Sequence, residues 1–393
     1  YPTTLGAVQR TFAVDSVYSC DASISKFNDD GTSLIYATYL GGQGIEVPQS
    51  LIADAEDNLY ILGTTGAADF PVTDNAYQSA FGGGRLIVSR ALNDFYRGSD
   101  LFLAKLSADG SSLLASTYWG GSGNEGYNSL ELNYGDNFRG EIQIAPNGNI
   151  ALVSSTNSND VPNVILANGA KVDSSQDALV GVFSNDLSLN IWLSYFGGSN
   201  TDAGYSLNLN DSLFFITGGT ESLNLPQTQN ALQAINAGDV DGFIAKFNLN
   251  TGVNLASTFI GTPDYDQSFL IQQDASGSVF LFGQTKGDWS VSPNKYFVNN
   301  ASQFLTKLNK DLSQIEWLTT IGSGQNKQDL VPSAFMIDDC QNIYLAGWNG
   351  QSNSVGTPPI KNGNTHGLPT SSDAFQATTD GNDFYFMVLS REG

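Results

Sequence analysis

The chain has 393 residues, 40% of them hydrophobic and 11% aromatic, enough apolar material for two or three domains or for one large all-β domain. Only 14% are charged, and 16 Lys and Arg against 39 Asp and Glu leave a formal net charge of −23. Such a surface repels phosphate backbones and anionic lipid, so nucleic acid is excluded as an expected partner, while divalent cations or basic patches would be attracted. No apolar run approaches the length of a membrane span, and no signal peptide is visible, so direct membrane insertion is not expected. The acidic surface, rich in Asn, Ser and Gly, points to an extracellular protein, whose export signal would have been removed or lie outside this sequence.

In chain order, "YPTTLGAVQ" (1–9) comes first, followed by an apolar run with a turn, "ASISKFNDDGTSL" (22–34), and then "YATYLGG" (36–42). "SLIADAEDNLYILGTT" (50–65) and "FPVTDNAYQ" (70–78) follow, after which the order restarts with "LFLAKLSADGSSL" (101–113) and "STYWGG" (116–121). The glycine phrase returns as "LSYFGG" (193–198), "STFIGT" (257–262) and "LTTIGS" (318–323). Its Gly41, Gly120, Gly197, Gly261 and Gly322 are spaced 79, 77, 64 and 61 residues apart.

Each repeat holds four short runs of alternating apolar residues, rich in Ile, Val, Phe, Tyr and Thr, and bounded by Asp-Gly, Asn-Gly or Ser-Gly hairpin signals. Two hairpins per repeat make one four-stranded antiparallel sheet. Several such sheets in series, none able to bury both faces alone, predict an all-β propeller of about six to seven blades when complete. A solenoid would need a much shorter repeat, and separate sandwiches more strands per unit.

The predicted units fall near 1–48, 49–126, 127–204, 205–265, 266–331 and 332–393, in a single propeller domain. "LPTSSDAFQ" (368–376) echoes residues 1–9, so the chain begins and stops partway through a repeat. Two strands from the first unit, sixteen from four full units and three at the end leave a number that four does not divide. Either strands from both termini pair, or the chain is a fragment, and the second reading is preferred.

These phrases resemble the SBBP-type seven-bladed β-propeller repeat along nearly the whole chain. They also resemble the propeller regions of large surface proteins of gliding Bacteroidetes. The resemblance implies type IX secretion, attachment at the cell surface and a role in adhesion, gliding or assembly, with other secreted or surface proteins as partners. It implies no catalytic residues, and the expectation is a non-enzyme. The alternatives are a carbohydrate-binding propeller, with Trp289 and Trp348 as candidate glycan platforms, and a propeller glycosidase or lyase.

Residue chemistry agrees with a scaffold. His366 is the single histidine and lies in a Gly- and Asn-rich stretch, while "GGSGN" (120–124) fails the nucleophile-elbow pattern at its last position. "SISK" (23–26) spells a Ser-x-x-Lys motif in a strand, which points the two side chains to opposite faces. The turns "NDDGTS" (28–33) and "SADGSS" (107–112) raise the question of calcium, but no alternating acidic series accompanies them. Plain hairpin turns are favoured, and no cofactor is expected.

The least repetitive stretch is 82–98. Gln78 to Asp100 spans 22 positions against 8 from Gln233 to Asp241, an insertion of 14 residues. It places Arg85, Arg90 and Arg97, half of the six arginines, beside Phe95 and Tyr96. Arg and aromatics are what interface hot spots favour, so these five residues form a candidate interaction loop. A helix or flap covering a blade edge is the rival reading. Cys20 and Cys340 are read either as a disulfide or as two buried free thiols. Ser16 and Ser212 fit an Asp-Ser-aliphatic glycosylation pattern, a tripeptide that also arises by chance.

Overall fold

The computed structural model describes residues 1–13, 19–88, 94–130, 137–164, 175–350, 364–391 and 393. Its strands form an all-β propeller with antiparallel blades. Four sheets are complete. The first is β3 (Glu46–Ala53), β4 (Leu59–Thr65), β5 (Asp100–Leu106) and β6 (Leu113–Trp119). The second is β7 (Glu141–Ile144), β8 (Ile150–Thr156), β9 (Asp177–Phe183) and β10 (Asn190–Phe196). The third is β11 (Asp202–Asn210), β12 (Leu213–Thr220), β13 (Asp241–Asn248) and β14 (Asn254–Ile260). The fourth is β15 (Asp266–Gln273), β16 (Val279–Thr285), β17 (Gln303–Leu308) and β18 (Ile315–Ile321).

Before these lies a two-stranded hairpin of β1 (Ala22–Phe27) and β2 (Leu34–Leu40). After them comes a three-stranded sheet of β19 (Val331–Ile337), β20 (Ile343–Trp348) and β21 (Phe384–Leu389). Among the described residues there are five blades, with β1–β2 as half a blade, against the six to seven expected of a complete ring. The incomplete sheets arise because repeats at the two ends contribute only two and three of their strands.

The repeat is structural as well as sequential. The first pair of strands carries an irregularity in the same place, at Pro48/Ser50, Gly204/Ser206, Ser268/Leu270 and Pro332/Ala334. The last pair carries one at Lys26/Phe27, Lys105/Leu106, Lys246/Phe247 and Lys307/Leu308. Such bulges add local twist, which suits blades that splay from one another. In the turn before β6, Gly110 adopts φ +68° and its N–H donates to Ser107 O at 2.8 Å. Asp109 accepts from the Ser107 and Ser111 hydroxyls and from Ser111 N–H, so its carboxylate serves the turn.

The strands group into two compact units, Tyr1–Asn128 with Phe138–Tyr195, and Ser129–Asn137 with Phe196–Gly393. Within the first, the β3–β6 sheet is packed on both faces. Tyr60, Leu101, Leu103 and Trp119 meet Ile150, Leu152 and Phe183 of the next sheet, while Ile61, Phe102 and Tyr118 turn to Ala22 and Leu40. Within the second, Phe215 and Ile244 pack on Leu281 and Phe304, and Phe280 and Phe282 pack on Phe335 and Leu345. Burial on both sides is why the middle strands read as nearly continuous apolar runs.

Candidate functional site

Two constellations stand out, and repetition separates them. The first recurs in blade after blade at the glycine phrase. Gly42 N–H donates to Glu46, whose other oxygen accepts from Thr65 Oγ1. Gly121 N–H donates to Glu125, which also accepts from Thr156 and Ser158. Gly198 and Asp202 repeat the pair at 2.6 Å, as do Thr262 and Asp266. The signal was readable as a Gly or Thr followed four residues later by a carboxylate, and residue types alone had not exposed it.

The first glycine of the phrase does not sit at positive φ; its need is space. A Cβ on Gly120 would fall against Glu125 Oε2 and lie 2.9 Å from Asp100 Cγ. On Gly41 it would fall against Glu46 Oε2 and 2.8 Å from Asp21 Cγ. Two buried carboxylates thus press on one Cα. The residue after the second glycine is held in the same repetitive way: Gln43 N–H donates to Asp69 at 2.7 Å, Ser122 N–H to Asp160 at 2.8 Å and Ser199 N–H to Asn224 at 2.9 Å.

Burial without a cation beside them raises these carboxyls. Burial pushes Asp100 up to about 7 against hydrogen bonds from Gly82 and Gly83. It pushes Glu46 up to about 8 against donors from Thr65 and Gly42, with the Asp21 charge adding to the rise. Asp241 rises to about 7, chiefly by burial. Glu125 is raised well above the usual range, by burial first and then by Asp100. A perturbed carboxyl in a cleft would suggest catalysis. Here Glu125 and Asp266 are fully buried and the arrangement recurs across blades, which identifies it as scaffold chemistry.

The second constellation occurs once, at 82–98. Its described residues form an antiparallel bridge, called the hairpin below: Ile87 and Phe95 exchange both backbone hydrogen bonds, at 3.1 and 3.0 Å, and residues 89–93 lie outside the described residues. Gly84 N–H closes it on Arg97 O at 2.8 Å, and Gly82 and Gly83 donate to Asp100. Phe95, expected at the surface, is instead the anchor. It is 1% exposed, stacks on Phe138 at 5.1 Å and packs with Ile45 and Ile87.

That anchoring turns Tyr96, Arg97, Arg85, Leu86 and Val88 outward, with Tyr96 66% exposed. Arg90 lies outside the described residues. Beside the hairpin is a pocket of about 300 Å³ lined by Gln43, Ile45, Asp69, Asp94, Tyr96 and Arg97 among others. Gln43, Asp69 and Asp94 were not anticipated from sequence, because they come from three separate stretches. Phe95→Ala is expected to cost about 3 kcal/mol through the lost aromatic packing and to free the hairpin. Limited proteolysis would then cut first within 82–98, and an unchanged cleavage pattern would show that Phe95 is not the anchor.

The remaining sequence candidates are dispersed. Cys20 and Cys340 are free and exposed, so both the disulfide and the buried-thiol readings are corrected. Trp289 is half-buried; its Nε1–H donates to Asp266 Oδ1 and Thr285 Oγ1, and its ring lies 5.1 Å from that of Phe304. It keeps one edge on a cavity of about 490 Å³ with Asp288 and Pro263. Trp348 is packed against the Tyr205 and Phe269 core. An open aromatic platform is thus not what either indole presents. Ser212 is exposed in the turn between β11 and β12, and Ser16 lies outside the described residues.

Residues 35–71 match the SBBP β-propeller repeat family. No curated protein matches the chain. Among solved structures, a protein of unknown function from Dyadobacter fermentans is similar at 13% identity and a TM-score of 0.40, covering 81% of this chain and 75% of that one. A Bacteroides caccae protein of unknown function is similar at 9% identity and a TM-score of 0.26, covering 76% of this chain and 89% of that one. The phage phi92 endosialidase is similar at 12% identity and a TM-score of 0.38, covering 94% of this chain and 62% of that one.

Proposed function

We propose that this chain of SBBP-type propeller blades is a non-enzymatic interaction and structural module of the extracellular surface. In this reading the blades are a rigid frame and the 82–98 hairpin is the part that meets a partner, another secreted or surface protein. The observation that carries the reading is the hairpin's construction. Phe95 and Ile87 fix it from below, while Tyr96 and Arg97 face outward over the pocket beside Asp69 and Asp94. A rigid aromatic and an arginine at the rim of a polar pocket are what an interface core uses. The net charge of −23 and the scarcity of charged residues support a life outside the cell.

The carbohydrate alternative finds little support from Trp289 and Trp348, whose rings are engaged in packing. The test is binding of the purified chain to an array of secreted and surface proteins, printed beside a glycan array. Binding to a protein, weakened at least about tenfold by Tyr96→Ala with Arg97→Ala at unchanged thermal stability, is the expected result. Binding confined to glycans and lost in Trp289→Ala would replace this reading, and turnover of an arrayed glycan would end it.

A further inference from the structure

One step of the repeat is broken in the middle of the chain, and the break leaves a carboxylate without its usual partner. Asp69, Asp160 and Asn224 each stand four residues after a threonine that ends the second strand of a blade, Thr65, Thr156 or Thr220. Each accepts the backbone N–H that follows a Gly-Gly pair, from Gln43, Ser122 and Ser199. The second glycine of the pair makes the seat. A Cβ on Gly42 would lie 2.6 Å from Asp69 Oδ1 and one on Gly198 2.6 Å from Asn224 Oδ1, while one on Gly121 would fall against Asp160 Oδ1.

Asp288 is the fourth of this series, three residues after Thr285 in "GQTKGDWS". Two substitutions close its seat. Thr262 stands in place of the second glycine, so its side chain fills the space the acid would need. Pro263 stands in place of Gln43, Ser122 and Ser199, and proline has no N–H to give. Thr262 otherwise keeps the register of the repeat, its N–H donating to Asp266 at 2.6 Å and its hydroxyl at 2.7 Å. Asp288 is exposed, and no hydrogen bond or ion pair reaches its carboxylate among the described residues. The cation nearest in sequence, Lys286, lies over the Tyr265 ring at 5.6 Å.

The loop has changed beside Asp288 as well. Phe70-Pro71, Val161-Pro162 and Leu225-Pro226 of the other blades become Trp289-Ser290. Phe70, Val161 and Leu225 are buried, whereas Trp289 is half-buried and keeps one edge on the cavity of about 490 Å³. Leu232, Pro263 and Ile315 give that cavity an apolar wall, and Asp288 is the one charged side chain on its lining.

We propose that this cavity is a docking site for an arginine side chain of a partner polypeptide. The guanidinium replaces the missing backbone donor on Asp288, and its planar fork serves both oxygens of the carboxylate. The aliphatic stem runs along Leu232 and Ile315, with the flat cationic group against the Trp289 indole. A lone carboxylate in a chain of net charge −23 is complementary to a basic partner, and the apolar wall suits a long stem better than a compact ion.

The test titrates the full 393-residue chain with Nα-acetyl-arginine amide while indole N–H signals are followed by NMR. The Trp289 signal is identified as the one lost in Trp289→Phe. A saturable shift of that signal is expected. Nα-acetyl-citrulline amide, which has the same shape without the charge, should bind at least about fivefold more weakly, the worth of one exposed ion pair. Asp288→Asn should lose the same factor at an unchanged unfolding midpoint, because Asp288 is exposed and holds nothing in place. Equal binding of the two amides, an Asp288→Asn variant that binds as before, or no shift at all would overturn the proposal. So would a shift produced by a neutral methyl pyranoside and not by the arginine amide, which would give the cavity to a glycan. Neither Tyr96 nor Arg97 lines this cavity, so its failure and that of the hairpin reading are separate results.

Discussion

Gly120→Ala is expected to destabilise the protein by about 3 kcal/mol, as overpacking of a closed site does. For a compact unit of this size that corresponds to a fall of roughly 6–12 °C in the unfolding midpoint. The added methyl meets Glu125 Oε2 and Asp100 Cγ, and neither carboxyl can retreat freely. Glu125 is tied to Gly121, Thr156 and Ser158, and Asp100 to Gly82 and Gly83. Gly148→Ala is the control. Gly148 adopts φ +83° in open space, so its cost is only the backbone conformation, about 1 kcal/mol. Equal losses for the two variants, measured by thermal or denaturant unfolding, would refute the close-approach explanation of the repeated phrase.

The second large effect is on pH. Glu46 at about 8, and Asp100 and Asp241 at about 7, hold their protons in the folded chain far above the usual carboxylate range. A raised carboxyl binds a proton in the folded state where the unfolded chain has lost it. Stability therefore falls as pH rises from the ordinary carboxylate value to the folded one, by about 1.4 kcal/mol per unit for each group, and levels off above about pH 8.

On the acid side the sign reverses. Asp109, held down to about 2 by donors from Ser107 and Ser111, supports the fold above the ordinary value and loses that support as pH falls towards 2. The unfolding midpoint should accordingly peak near pH 5 and drop by roughly 10 °C or more by pH 8. Asp241→Asn with Glu46→Gln should flatten that descent. A midpoint independent of pH between 5 and 8 would show that these carboxyls are ionised in the fold.

The blades were legible because the elements that define them are local. Alternating runs such as "LFLAKL" and turns such as "SADG" announce a strand and its end within a dozen residues, and the 21 strands among the described residues fall in the expected division of two, sixteen and three. The number of blades was less legible, because it depends on how the partial repeats are counted.

What escaped the sequence is what depends on distance. The carboxylate pair at Gly41 joins Asp21 to Glu46, 25 positions apart. Phe95 became an anchor because Phe138, from between β6 and β7, stacks on it. Trp289 was read as a platform because nothing in "GDWS" tells that Asp266 accepts its indole hydrogen. Repeat spacing did locate the 82–98 insertion, 22 positions from Gln78 to Asp100 against 8 from Gln233 to Asp241, and its three arginines of six marked it as unusual. It could not tell that Phe95 would point inward while Tyr96 points out.

The central claim is that the repeated phrase is frame and that the unrepeated hairpin carries recognition. The most direct measurement replaces residues 79–99 by residues 234–240, the short link that joins Gln233 to Asp241 in another blade. Gln233 and Asp241 hold that link as Gln78 and Asp100 hold the hairpin, with Ala237 N–H donating to Asp241 at 2.7 Å. The account predicts a cooperatively unfolding β-protein, somewhat less stable through loss of the Phe95 cluster, that no longer binds the protein partner found on the array. Undiminished binding by the shortened chain would contradict it.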